Sequence, residues 1–478
     1  MAGTPSTETL PRKTTLTIVS AIVLMSLLPH IPALQHFRGF EPTQLRSSLT
    51  LHPPVPGKLI IPAEDHTQAT AHDKTQNGQI TKPSETSSSP YLIIPPGSMD
   101  VFFAALRRTE SKQAGAVTRI LHYGDSPTTA DSITADVRAL LQQRFGDAGH
   151  GFVLIAKPWA WYGHRGIKLE GSGWHIAPAS QAREMDGIHG LGGVSFRGQT
   201  GATSTVDLPD DLYTHAVVYY LAQPDGGSFK VQTKGRIVAE VDTNGPEKKP
   251  GFAEFSLPAG TGSVNLLVTS GHVRLFGYRF DKDSAGVEYS SLGINGAQLP
   301  MALRYFEVTQ WTENLRHEHP DLLILNYGTN ESVYPAYIEK QYPAELRQLV
   351  VRLRAALPNA SILLMSPMDR GVRETGGSIV TPDVLPRLVE IQQQIAAETG
   401  CAFFNTFEAM GGPGTMARWY ESQPRLVSAD FMHPLPAGAA KVGALFERAL
   451  MSSYEQSKQK MRVASSAASS PTGANQGQ

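Results

Sequence analysis

Apolar residues fall along this chain in three different rhythms. Residues 14–28, TTLTIVSAIVLMSLL, are largely apolar without a break. From Asp100 to Phe145, and again from Val287 to Leu450, short apolar runs alternate with stretches of helical spacing. VTRILHY (117–123), DLLILNYG (321–328), SILLMSP (361–367) and CAFFNTF (401–407) are too short for helices and read as buried strands. VFFAALRRTESKQA (101–114), Ala130–Phe145, AELRQLVVRLRAAL (344–357), PRLVEIQQQIAAETG (386–400) and PAGAAKVGALFERAL (436–450) read as helices. Within Ala130–Phe145, Ile133, Val137, Leu140 and Leu141 share one face, and Gly400 is placed to end its helix in the left-handed conformation. Between Trp159 and Asp283 the rhythm is different. GGVSFRG, THAVVYYLAQ, SFKVQT, RIVAEVD, GFAEFSLP, SVNLLVTS and HVRLFGYRF are short β-rich runs parted by turns such as PDGG and NGPE.

Strands alternating with helices predict an α/β domain with a parallel, doubly wound sheet. The run of short strands predicts an antiparallel β-sandwich or jelly roll set into it. The expected organisation is an N-terminal signal or anchor segment (1–41), a disordered linker (42–98), the first part of the α/β domain (99–158), the β insert (159–285), the second part of the α/β domain (286–451) and a disordered tail (452–478). The linker and tail follow from Pro-, Ser-, Thr- and Gln-rich stretches such as HPPVPGK, TKPSETSSSP and SSAASSPTGANQGQ. No internal repeat is present.

Arg12 and Lys13 before the first apolar run form a positive flank. The apolar run is shorter than the roughly 20 residues of a comfortable spanning helix, and Pro29 and Pro32 follow it. A cleaved signal and a short uncleaved anchor over residues 14–34 both fit, the anchor being preferred because Ile31-Pro32-Ala33 is a poor cleavage site. Either reading puts the remainder outside the cytoplasm, in the periplasm or cell envelope. In the 478-residue chain, 42 basic and 43 acidic residues leave no broad positive field, so no nucleic-acid partner is expected. The single cysteine, Cys401, allows neither an internal disulfide nor a cysteine metal site, and no cofactor or metal is expected.

In an open α/β sheet, ligands gather beyond the carboxyl ends of the strands. Ser126 lies there after the first strand, in Gly124-Asp125-Ser126. Gly328-Thr329-Asn330-Glu331 follows the second and Met368-Asp369-Arg370 the third, while Asp430 and His433 stand just before the last helix. Each piece has a plain reading: Asp and Ser cap helices, Gly-x-Asn makes turns, and Asp and His three apart are common. The order and the strand-end positions together are what point to one site.

GDS at 124–126, INGA at 294–297, GTNE at 328–331 and DFMH at 430–433 resemble blocks I, II, III and V of the SGNH, or GDSL-type, hydrolases. A β-sandwich splitting the domain after its first helix, with GVEYSSLGINGAQLP where the domain resumes, resembles the peptidoglycan O-acetylesterases and related proteins carrying a carbohydrate-binding-module-like insert. The resemblance implies an α/β/α sandwich and a catalytic set of Ser126 as nucleophile, His433 as base and Asp430 as its orienting carboxylate. It also implies an oxyanion hole from the N–H of Ser126, the N–H of Gly296 and the side-chain amide of Asn330. The chemistry fits these types, because a serine hydroxyl needs an imidazole to take its proton and the imidazole needs a carboxylate to fix its tautomer. Glu331 departs from the Asp often found in block III, and Pro127 from the usual residue after the serine.

The resemblance therefore implies a serine esterase that removes O-acetyl groups from a cell-envelope or exported polysaccharide such as peptidoglycan, its substrate partner being that acetylated polysaccharide. An O-acetyltransferase using the same site, and a non-catalytic polysaccharide-binding protein, are the alternatives. Three weaker features remain. Trp159, Trp161, Tyr162 and Trp174 either stack on sugars or pack the domain junction. His317 and His319 in HEHP make a weak metal motif, and GLGG at 190–193 reads as a turn rather than a phosphate loop.

Overall fold

A computed structural model describes residues 89–181 and 184–468. The signal or anchor segment, the expected linker up to residue 88 and residues 469–478 lie outside the described residues. In chain order the strands are β1 (Leu92–Ile93), β2 (Val117–Gly124), β3 (Asp147–Val153), β4 (Lys168–Pro178), β5 (Val194–Asp207), β6 (His215–Ala222), β7 (Ser228–Thr233), β8 (Arg236–Asp242), β9 (Lys249–Ser256), β10 (Ser263–Ser270), β11 (His272–Asp281), β12 (Gly286–Gly293), β13 (Leu322–Asn326), β14 (Ser361–Met365), the small hairpin β15 (Val372–Arg373) and β16 (Ile379–Val380), and β17 (Ala402–Phe404). The main helices are α1 (Asp100–Glu110), α2 (Ser126–Thr129), α3 (Ser132–Phe145), α4 (Val308–Glu318), α5 (Tyr342–Ala356), α6 (Val384–Thr399) and α7 (Pro436–Ala468).

The α/β half is a sheet in the order β1-β17-β14-β13-β2-β12-β3, parallel throughout except for β1. Period-two alternation sorts its side chains onto two faces. Ile120, Tyr289, Ile324, Leu363 and Phe404 face α1, α3 and α7, burying Phe102, Val137, Leu141 and Phe446 with them. Leu121, Leu323, Ile362, Leu364 and Phe403 face α4, α5 and α6 through Leu315, Leu349, Leu353, Leu388 and Ile395. This is the α/β/α sandwich of the SGNH type, with β2, β13 and β14 as anticipated.

The antiparallel strands β4–β11 occupy the predicted insert. Long β5 pairs with β4 on one side, and on the other with β10 through residues 203–207 and with β11 through residues 196–199. The second half of β11 then runs between β6 and β3. The insert is thus hydrogen-bonded into the same sheet as the α/β half, with β3 as the joining strand: parallel to β12, antiparallel to β11. One apolar core continues from Leu349 and Trp311 into Phe196, Val218 and Leu266. A buried polar junction reinforces it. Arg279 of β11 donates to Glu318 of α4 at 3.2 Å, Glu318 also accepts from Tyr219 of β6, and Arg119 pairs with Glu288 at 3.2 Å. The boundary drawn at 158/159 marks a change of strand rhythm, while the described residues form a single compact unit.

Two other expectations are corrected. Residues 452–468, expected as disordered tail, continue α7. Tyr454 is fully buried against Phe103 and Phe145, its hydroxyl donates to Glu110 at 2.8 Å, and Lys458 pairs with Glu110 at 2.9 Å. The end of the expected linker is ordered too, because β1 pairs with β17 and Met99 is buried. Among the described residues no helix is long and apolar enough to cross a membrane.

The shared core and the buried Arg279–Glu318 pair predict one cooperative unfolding transition. Glu318→Ala takes one of two carboxylates from Arg279, leaving Asp281 at 3.0 Å, and removes the acceptor of the buried Tyr219 hydroxyl, so it should destabilise the protein by about 1–3 kcal/mol. Calorimetry should show the whole transition moving down; two transitions, of which only one moves, would mean the insert is a separate module.

Candidate active site

Strand β2 ends at Gly124, which lies beside Gly293 at the end of β12. The chain then turns through buried Asp125 into the single turn α2, opened by Ser126 with Pro127 behind it. Pro suits the first turn of a helix, where a missing N–H leaves nothing unpaired. The Ser126 N–H, as a first-turn donor, has no acceptor within its helix. The turn lies close on the sheet end. A side-chain carbon at Gly293 would sit 2.0 Å from the Thr129 nitrogen, and one at Gly124 would sit 2.2 Å from the Thr128 hydroxyl. Only glycines at both strand ends let the serine turn settle there.

The facing segment comes from the chain before α7. Residues 428–433 close on themselves, the N–H of Ser428 donating to the carbonyl of His433 at 2.9 Å and that of Phe431 to Ser428 at 3.1 Å. Phe431 adopts a left-handed φ of 57°. A bulky residue there is strained, and packing must hold it. Its ring is buried against Tyr420, with the Arg373 guanidinium 5.0 Å from its centroid. This turn lets Asp430 and His433 meet. His433 Nδ1 is 2.7 Å from Asp430 Oδ2, and His433 Nε2 is 2.9 Å from Ser126 Oγ. Burial alone would raise the Asp430 carboxyl; hydrogen bonds from Ser428, His433 and the N–H groups of His433 and Met432 overcome it and hold Asp430 down at about 2. Asp430 is therefore ionised at neutral pH, which favours the tautomer of His433 that leaves Nε2 free to accept the serine proton.

The other two predicted residues lie in one further cluster. Gly296 has φ 68°, and no atom lies within 4 Å of where a side chain would begin, so its backbone borders open space. Asn330 donates from Nδ2 to the carbonyl of Ala297 at 2.8 Å. That bond uses one of the two amide hydrogens and fixes the direction of the other. Glu331, fully buried, accepts from the Leu299 N–H at 2.6 Å, so the block around Gly296 is tied to the block around Asn330 at two points. Burial raises Glu331 to about 7, the nearby Asp125 adding to the effect. Burial likewise raises Asp125 to about 6, a Thr329 hydrogen bond and the charge of His433 opposing it. Asp125 supports the serine turn from below and does not join the relay.

Other strand-end and motif residues are employed elsewhere. Asp369 accepts from Thr381 and from the Met416 N–H. His317 stacks on Phe252 at 3.8 Å, while His319 takes a left-handed φ of 46° at the end of α4, so the two do not converge. Gly190 to Gly193 form the turn before β5. The one clustered set of potential metal ligands among the described residues is buried Asp131, His150 and His164. Their atoms are already engaged. Arg138 and Thr134 bond Asp131, His150 bonds His164 at 3.0 Å, and His164 bonds Tyr162 at 2.9 Å. A guanidinium sits where a cation would, and the cluster is structural. Of the aromatics, Tyr162 is buried, Trp159 and Trp174 pack on the core, and Trp161 alone is largely exposed. Sequence reasoning missed Phe431, whose left-handed backbone has no signature, and the anchoring bond of Glu331.

The raised Asp125 carboxyl gives a pH signature. In the folded protein it holds its proton up to about 6, above its ordinary 3.8, so its contribution favours folding below that ordinary value and is lost as pH rises between the two. Asp125→Asn, which cannot ionise, should gain stability relative to the parent as pH goes from about 4 to 6.5. Urea midpoints measured across that range test this; parallel curves would contradict a buried, proton-holding Asp125.

Comparison with known proteins shows what the chain is similar to. Residues 256–441 match the model of the GDSL-like Lipase/Acylhydrolase family. The match covers Gly296, Asn330, Asp430 and His433; Ser126 lies outside it, on the far side of the insert. A peptidoglycan O-acetylesterase structure superposes with a TM-score of 0.65 at 22% identity, over 77% of this chain and 99% of that one. An acetylxylan esterase from Geobacillus stearothermophilus gives a TM-score of 0.26 at 22% identity, over 34% of this chain and 72% of that one. A salicylyl-acyltransferase from a tetracycline biosynthetic pathway gives 0.29 at 14% identity, over 60% and 98%. These last two superpositions are too slight to argue from. No curated protein matches the sequence. The matched segment and the sheet agree: residues 256–441 are similar to the GDSL-like acylhydrolases, and the fold is the SGNH-type α/β fold seen in the peptidoglycan O-acetylesterase structure.

Proposed function

We propose that this domain removes O-acetyl groups from a cell-envelope or exported polysaccharide, peptidoglycan being the leading substrate, with Ser126, His433 and Asp430 as its catalytic residues. The observation that carries the reading is the unbroken relay: 2.7 Å from Asp430 to His433 and 2.9 Å from His433 to Ser126. Ser126 Oγ attacks the acetyl carbonyl carbon as His433 Nε2 takes its proton, and the ionised Asp430 steadies the imidazolium. The carbonyl oxygen gains negative charge and is met by the Ser126 and Gly296 N–H groups and the second hydrogen of Asn330. When the tetrahedral adduct collapses, the bond to the sugar oxygen breaks, and that oxygen leaves with the proton from His433. Water, deprotonated by His433, then attacks the acetyl-serine and releases acetate.

The similar peptidoglycan O-acetylesterase supports the choice of acetyl and polysaccharide. Solvent access supports hydrolysis over transfer to a second sugar, since the His433 side chain is 42% exposed and the Asp430 side chain 50%. An open relay admits water as acceptor, whereas a transferase must hold water back. An intact relay also speaks against a purely binding role. The positive flank and apolar run at residues 12–28 support a location outside the cytoplasm.

Two experiments test this. With an acetylated chromogenic ester, Ser126→Ala and His433→Ala should abolish turnover, and only the parent serine should react with a sulfonyl fluoride. Asn330→Ala should lower kcat by about 10²–10³ with little change in KM, because the lost donor acts on charge that develops in the transition state. Unchanged kcat would remove Asn330 from the oxyanion hole, and full activity of Ser126→Ala would end the assignment. For location, a periplasm-active reporter fused after Ser98 should work; silence there, with a cytoplasmic reporter active at the same point, would reverse the topology.

A further inference from the structure

Trp161 is an oddity of placement. It belongs to the loop that leads from β3 into the insert, and the residue is 55% exposed although its neighbour Tyr162 is buried at 5%. Exposed tryptophan needs a reason, because burying its ring would stabilise the fold. The loop is not loose. The N–H of Gly163 donates to Thr129 of the serine turn at 3.4 Å, and the N–H of Arg165 donates to Asp131 at 2.9 Å. Tyr162 accepts from the Leu154 N–H at 2.9 Å and bonds His164, which bonds His150. The backbone on the far side of Trp161 is thereby moored to the segment carrying Ser126.

The ring itself is fixed at its polar edge. Its indole N–H donates to Asn295 Oδ1 at 3.3 Å, and Asn295 immediately precedes Gly296. Trp161 therefore bridges the two segments that supply the serine and an oxyanion donor, and it leaves its apolar ring to solvent beside them. The N–H is already satisfied, so a ligand meets the ring surface and not a hydrogen-bond donor. A flat, electron-rich, preorganised face accepts the apolar C–H face of a pyranose whose hydroxyls are equatorial, as in β-linked hexosamine polymers.

We propose that Trp161 is a sugar-stacking platform at the rim of the active site, which seats the ring bearing, or next to, the acetyl ester and so selects glycan esters over small ones. This rests on the polysaccharide-ester reading above. It also gives the insert a task in recognition: its first loop completes a site whose chemistry is carried by the α/β half.

The test uses the full chain and two substrates, O-acetylated chitotetraose and 4-nitrophenyl acetate. Trp161→Ala should raise KM for the tetrasaccharide about tenfold with kcat little moved, the loss expected for one aromatic contact. The nitrophenyl ester, too small to span the ring, should show a clearly smaller change, so the ratio of kcat/KM values shifts against the glycan. Trp161→Phe should restore most of that ratio. If the ratio stays constant in Trp161→Ala, or Trp161→Phe behaves like Trp161→Ala, the platform is wrong. If the parent protein cleaves the nitrophenyl ester but frees no acetate from the tetrasaccharide, the polysaccharide reading fails, and the platform with it. The first failure leaves glycan turnover intact and the second does not, so the two are told apart.

Discussion

The close seating of one helical turn on the end of a parallel sheet governs this active site. Ser126 can meet His433 at hydrogen-bond distance only if α2 descends onto β2 and β12, and a methyl group on either terminal glycine would collide with it. The requirement is local, but its effects spread. It places a carboxyl, Asp125, beneath the turn and away from water, where burial raises its proton affinity, and close enough to Glu331 to add to the burial that raises that carboxyl too. Buried carboxyls of this kind destabilise unless they stay neutral or find donors. Glu331 does find one, the Leu299 N–H, and in doing so holds the Gly296 segment in place. The support beneath the serine turn and the placement of Gly296 and Asn330 are thus one structure.

Much of this was legible in the sequence because periodicity and strand ends are local properties. VTRILHY, DLLILNYG and SILLMSP became strands, and Gly400 ended its helix in the left-handed conformation, φ 65°. Ser126, Asp430 and His433 could be grouped from the sequence because strand-to-helix junctions in such a sheet converge, and the structure sets them within hydrogen-bond distance. Other features were hidden for physical reasons. DAGHGFV, the joining strand β3, holds two glycines and little β-branched content, so propensity argues against it; contact with strands on both sides makes it a strand. The region after Ser452 reads as low complexity because its helix is held by a few long-range contacts, chiefly Tyr454 and the Glu110–Lys458 pair. Phe431 is invisible for the same reason: its backbone is imposed by Tyr420 and Arg373, both distant in pattern.

The insert is antiparallel β, as its short strands and turns predict, but its boundary in sequence is not a boundary in the sheet. A change of rhythm along the chain marks where strand partners change, not where hydrogen bonding stops. Here β11 accepts β3 along one edge and β6 along the other, so the α/β sheet passes into the insert without a break. The buried Arg279–Glu318 pair then penalises separation, since Glu318 would lose both of its partners, Arg279 and Tyr219, in a poorly solvated interior. Rigid attachment of this kind is what allows a loop of the insert to share a rim with the serine turn.

The hydrogen bond between Ser126 and His433 joins positions 307 residues apart in sequence. Such a contact forms only after the intervening loop has been closed by folding, which makes the site one of the last features to assemble. A nascent chain emerging from its amino terminus therefore displays a serine without a base throughout synthesis of the insert. The Ser126–His433 pairing is absent while the chain is being made, and it forms only once the segment before the final helix has docked. Activity in this architecture doubles as a certificate of complete folding.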